Sequence, residues 1–143
     1  MKRIAAYVAI VLAVTFLITA CDQGKKDDVV IDYGTSKIYT KADIDEAIAQ
    51  VKEMFNTWEG CELHSIRYES DDCNSEENIN WMNEHEHKED QDYTQCMILY
   101  SDFHSPVEGA SDLGFDPDYE YKDWNWCLAR TDGGKWHLLD WGY

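Results

Sequence analysis

Residues 122–143 constrain the fold more than any other stretch. Two apolar, aromatic-rich segments, 122–131 and 135–143, flank Asp132-Gly133-Gly134. A Gly-Gly pair adopts positive φ without steric cost and suits a two-residue hairpin turn. With Gly133 and Gly134 in the turn, Asp132 pairs with Lys135. Trp124 then faces Tyr143, Trp126 faces Trp141, Leu128 faces Leu139 and Arg130 faces His137. Side chains alternate along a strand, so these eight share one side of the sheet. Asn125, Cys127 and Ala129 share the other side with Gly142, Asp140 and Leu138. Cross-strand aromatic pairs each add roughly 0.2–1 kcal/mol, so one face of the hairpin is built for burial.

A helix is the natural cover for that face. Thr40 is a good N-cap, with Asp43 at N3 completing a capping-box pattern, and Tyr39 and Ile44 occupy the positions of a hydrophobic staple. Ile44, Ala47, Ile48, Val51, Met54, Phe55 and Trp58 then recur at helical spacing. Gly60 supplies a stop, giving a helix of about five turns. Residues 61–69 switch alternation parity between Leu63 and Ile66, as a bulged strand does. Ser75 caps a short second helix whose small apolar face is Ile79 and Met82. Residues 83–92 read as a charged loop, 93–103 as a central strand and 104–120 as a long loop. The expected fold is α+β: an N-terminal helix packed on a curved antiparallel sheet of about four strands.

The N-terminus carries a different message. Lys2 and Arg3 precede an apolar run from Ile4 to Ala20, the layout of a secretory signal. Ile18-Thr19-Ala20-Cys21 resembles the bacterial lipobox. That resemblance implies a lipid on Cys21, cleavage before it, and an exported chain anchored to the outer face of the cell membrane. The expected organisation is a signal at 1–20, a lipidated tether at 21–37 and one domain at 38–143. Removing Lys2 and Arg3 leaves 10 basic residues against 29 acidic ones, a formal charge of −19. Such a surface repels nucleic acid. Its six Trp and nine Tyr argue against disorder. Cys61, Cys73, Cys96 and Cys127 remain, without C-x-x-C spacing, so either two disulfides or buried thiols are open.

Asp123-Trp124-Asn125-Trp126, Gly134-Lys135-Trp136 and the ending Asp140-Trp141-Gly142-Tyr143, with Ser101-Asp102-Phe103 and Gly60-Cys61, resemble small lipoproteins of Gram-positive gut bacteria. The resemblance covers roughly residues 38–143. It implies a cystatin-like fold, related to the nuclear-transport-factor-2-like group, in which a bent sheet wraps a helix and a pocket or a homodimer often forms. It carries no activity, because one fold hosts many functions. Cys96 and Cys127 stand where the resemblance places aliphatic residues, and a cross-strand disulfide between them would replace that packing.

Candidate sites are sparse. His85-Glu86-His87, with Glu89 and Asp90 nearby, alternates imidazoles but lacks an ordered further ligand. The stretch 116–120, with Asp112 and Gly114, and the stretch 72–76 miss the calcium-loop pattern. No metal or cofactor is expected. Asp102 with His104, or Asp140 with Asn125, has the chemistry of a general acid–base pair if placed in a pocket. The leading expectation is a non-enzymatic binding or interaction domain with an unidentified protein or small-molecule ligand. A small enzyme using Asp140 or Asp102 is the alternative, and a protease-inhibitor module rests on fold analogy alone.

Overall fold

The computed structural model describes residues 28–85, 90 and 92–143. The first helix, α1, spans Lys41–Phe55. Thr40 Oγ1 accepts from Asp43 N at 3.2 Å, and the Asp43 carboxylate accepts from Thr40 N at 2.8 Å. That reciprocal box fixes where the helix starts. Ile44, Ala47, Ile48, Val51 and Phe55 are buried along one face, as the periodicity predicts. The helix is 15 residues long and stops short of Gly60. Thr57 N and Trp58 N bond to Met54 and Phe55 carbonyls, tightening the last turn. Trp58 is still buried, but from a turn.

The sheet has five strands in sequence order: β1 (Val30–Asp32), β2 (Glu62–Tyr68), β3 (Gln95–His104), β4 (Glu120–Arg130) and β5 (His137–Gly142). The fold is α+β, but the sheet is mixed and one strand larger than expected, because β1 pairs parallel with β2. Residues 30–37, read above as tether, belong to the folded unit. A Cβ at Gly34 would meet Tyr68 O at 2.3 Å, so only glycine allows the chain to pass there. Ser36 Oγ and Lys37 N then donate to Asp71 at 2.5 and 2.7 Å. The β2 bulge falls between Leu63 and Ser65, where the parity switch placed it. The second helix, α2, spans Glu76–His85, with Asn78 N donating to Ser75 Oγ at 3.1 Å.

The terminal hairpin departs from its expected register halfway along. Asn125 pairs with Gly142, Trp126 with Trp141 and Cys127 with Asp140, as predicted. Beyond Cys127 a bulge shifts the pairing, so Leu128 meets Leu138 and Ala129 meets His137. The expected Leu128–Leu139 and Arg130–His137 pairs are therefore wrong, as is the Asp132–Lys135 closure. The turn is wider than two residues: Gly134 N donates to Thr131 O at 2.8 Å, and Gly133 sits at φ +68°. The bulge sends Leu138 and Leu139 to opposite faces of the sheet. Leu138 packs against the main core, and Leu139 joins a second one.

That second core holds Met82, Tyr93, Cys96, Ala129 and Leu139. It lies under α2, so at this end the sheet is covered on both faces and the architecture is locally three-layered. The main core lies between α1 and the other face. Arg130 joins helix to sheet within it. Its guanidinium donates to Asp43 at 2.8 Å and to Gln95 at 2.7 Å, and lies 4.4 Å from the Trp136 ring centroid. Trp136, outside the expected aromatic face, is fully buried there. All four described cysteines are free thiols. Cys96 lies opposite Ala129 and Cys127 opposite Ile98, which sets the two thiols diagonally on neighbouring strands. Diagonal strand neighbours stand ~7–8 Å apart, at or beyond the reach of an unstrained disulfide.

Candidate functional site

The space between α1 and the sheet is filled by aromatic rings. Trp58 stacks on Trp126 at 5.1 Å and meets Phe115 at 4.8 Å, Phe55 at 5.2 Å, Phe103 at 5.4 Å and Trp124 at 6.1 Å. Trp126 Nε1 donates to the buried Ser101 Oγ at 2.8 Å. This interior is a packed core where a ligand-binding fold would hold a cavity.

The polar positions singled out above lie on the far side of the sheet. Asp102 accepts from Asp123 N at 3.0 Å and pairs with Lys122 at 3.5 Å and Arg67 at 4.0 Å. Asp123 reaches this arrangement through a left-handed φ of +57°. His104 does not touch Asp102. Its Nε2 lies 3.1 Å from Asp118, and its Nδ1 lies 4.0 Å from Glu120. Glu120 also takes His64 Nδ1 at 3.0 Å and Lys122 at 3.2 Å. The result is an ionic lattice across β2, β3 and β4. His64, Arg67, Glu120 and Lys122 were not visible as a set in the sequence, because four separate stretches contribute them.

Chemically, this lattice is saturated. Each carboxylate faces a cation or an N–H, and the pairs are open to water, where each contributes at most ~1 kcal/mol. Among the described residues no group of three or more His, Cys, Asp or Glu is arranged to hold a metal ion. His104 and Asp118 border a shallow cleft of about 230 Å³ with Glu62 and Ser105. Asn125 and Asp140 share the outer side of the sheet, as read from sequence. Asp140 is exposed opposite Cys127, Asn125 is half-buried opposite Tyr100, and neither borders the four main grooves.

The other expected sites disperse. His85 ends α2, stacked on Trp81 with Nδ1 2.9 Å from Trp81 O, while Glu86, His87 and Glu89 lie outside the described residues. Cys21 also lies outside them. Burial pushes the Cys61 and Cys127 thiols up to about 11 and raises those of Cys96 and Cys73 as well. None of the four has the low pKa of a reactive thiol.

What remains open is the β5 edge of the sheet. A groove of about 350 Å³ runs between it and α1, lined by Gln50, Glu53, Met54, Thr57, His137 and Leu138. Past the groove, Trp141 is 39% exposed and Tyr143 78%. Their rings meet Trp126 at 6.3 Å and Trp124 at 5.1 Å, so the core's aromatic layer continues to the surface. Tyr119, 51% exposed, extends it through Tyr121 at 4.9 Å.

Comparison of the chain with family models, with curated proteins and with solved structures found no match.

Proposed function

We propose that the chain is an extracytoplasmic lipoprotein, anchored through Cys21, whose domain binds a partner without transforming it. The observation that carries this reading is the filled interior beside an exposed aromatic edge. Catalysis needs reacting groups held together out of water. Here the carboxylates are exposed or saturated, and the space under α1 holds Trp58 and its neighbours. Binding needs a surface that gains by leaving water, and Trp141, Tyr143 and Leu138 supply one. No helix among the described residues is long and apolar enough to cross a membrane, and a lipid on Cys21 would supply the anchorage. A helix packed on strands in sequence order also supports a cystatin-like reading of the fold.

Two measurements test it. The full chain expressed in a Gram-positive host is expected to take up a clickable palmitate analogue, and Cys21→Ala to lose it. A photo-crosslinking phenylalanine analogue at position 141 is expected to trap a partner on cells, and the same analogue at the exposed position 81 to trap none. Equal labelling of Cys21→Ala would refute the anchor. Absence of any crosslink from position 141 would refute the binding domain.

A further inference from the structure

The β5 edge offers more than an apolar patch. In the sheet, β5 is hydrogen-bonded to β4 and has no strand on its other side. Folded proteins usually shorten, charge or cover such an edge. The opposite edge follows that rule, since β1 has only three residues. On β5 the bulge lies before Asp140, and the stretch after it carries Trp141 and Tyr143 two residues apart. Side chains at i and i+2 share a face, so a strand added here would lay alternate side chains over Trp141 and Tyr143. Between them Gly142 shields nothing: a Cβ built there meets no atom within 4 Å.

Charge selects the occupant. The groove beside β5 is bordered by Glu53 and by no lysine or arginine, and Asp140 is exposed on the strand. The whole chain carries 29 acids against 12 bases. A second copy of this chain would bring the same acidic edge to itself. A cationic side chain over a Trp or Tyr face gains ~0.5–2 kcal/mol, and Glu53 or Asp140 is available to pair with it. We propose that β5 accepts an extended, basic peptide segment as a sixth strand, with lysine or arginine side chains over Trp141 and Tyr143 and an apolar one at Met54 and Leu138. This rests on the binding-domain reading and names its class of partner.

The probe is a ten-residue peptide alternating lysine and valine, with the glutamate–valine peptide and spermine as comparisons, against the full chain in zwitterionic detergent. The lysine peptide is expected to bind at least tenfold more tightly than the glutamate peptide. It should slow hydrogen exchange in 137–143 and leave 62–68 unchanged. Trp141→Ala should weaken it about tenfold, and Glu53→Lys, an exposed helix position that leaves the core intact, severalfold. Unchanged exchange on β5, equal binding of the glutamate peptide, or spermine matching the lysine peptide overturns strand addition. So does a dimer that protects β5 in the free protein. Failure of the peptide while position 141 still crosslinks a partner overturns the basic-strand class alone, and loss of both overturns the binding domain itself.

Discussion

Arg130 shows how much one side chain can hold. It is 6% exposed and ties the first turn of α1 to the end of β4 through Asp43. Removing one partner of a buried pair leaves the other uncompensated, at ~3–5 kcal/mol. Asp43 keeps some access to water, so Arg130→Met should fall at the low end, about 3 kcal/mol, read from urea unfolding midpoints. Asp43 also sets an acid limit. Its carboxyl is held below the usual range, chiefly by the Thr40 hydroxyl, with Thr40 N and Arg130 adding to it. At Asp71 burial pulls upward, but bonds from Ser36, Tyr68 and Lys37 outweigh it, and the net direction is again down. A depressed folded pKa gives stability that is complete above the unfolded value, ~3.9, and is lost as pH falls through the folded one. Unfolding free energy should therefore hold level from neutral pH to the mid-acid range and drop below about pH 4. In Asp71→Asn that drop should be shallower. An identical slope in wild type and variant would remove Asp71 from this account. The thiols give a third expectation. With all four pKa values raised, peptides carrying Cys61, Cys73, Cys96 and Cys127 should alkylate at least tenfold more slowly at pH 8 in the native chain than in urea, read by mass spectrometry. Fast native labelling at Cys96 would contradict its burial.

At the scale of elements, the parts legible in the sequence were those with one dominant period. The α1 stripe, its capping box and the β2 parity switch each break a regular pattern at a single residue, and the structure follows them. The β5 bulge was not legible because Leu138 and Leu139 are both apolar. Alternation says which face a strand buries only when its neighbours differ in polarity, and here both faces are buried, by different cores. The same blindness hid the second core and the role of Trp136, whose place depends on a helix 40 residues or more away in sequence. The site was less legible still. Asp102 and His104 were found as residue types, but their partners come from β2, β4 and a loop, and only the three-dimensional register brings these together. Leu139 offers the test of this architecture. Leu139→Ala should cost ~2–5 kcal/mol, the usual range for truncating a buried leucine. The loss should be uneven: hydrogen exchange in α2 should quicken well before exchange in α1. Uniform loosening of both helices would mean that the two cores unfold as one.

For the molecule as a whole, charge is the variable that sequence and structure both leave unbalanced. The ionic lattice of β2–β4 pairs Arg67 and Lys122, and Arg130 and Lys41 pair with Asp43 and Asp45, so most of the described basic side chains are already committed. The remaining acids face solvent and one another, within a formal net charge of −17. Such self-repulsion destabilises the compact state relative to the expanded chain. Salt acts on it over distance: the screening length falls from ~30 Å at 0.01 M to ~3 Å at 1 M, from the width of the domain to a single contact. Screening also weakens the surface pairs, but those contribute little individually, so relief of repulsion should win. The urea midpoint should therefore rise as sodium chloride is added, and binding of a basic peptide at β5 should weaken over the same range. The opposed trends distinguish a diffuse acidic surface from a local cation site. If micromolar calcium stabilises the fold while sodium at matched ionic strength does not, the acids act as a coordinated cluster. In that case neither the diffuse-charge account nor the choice of a basic partner at β5 stands as argued.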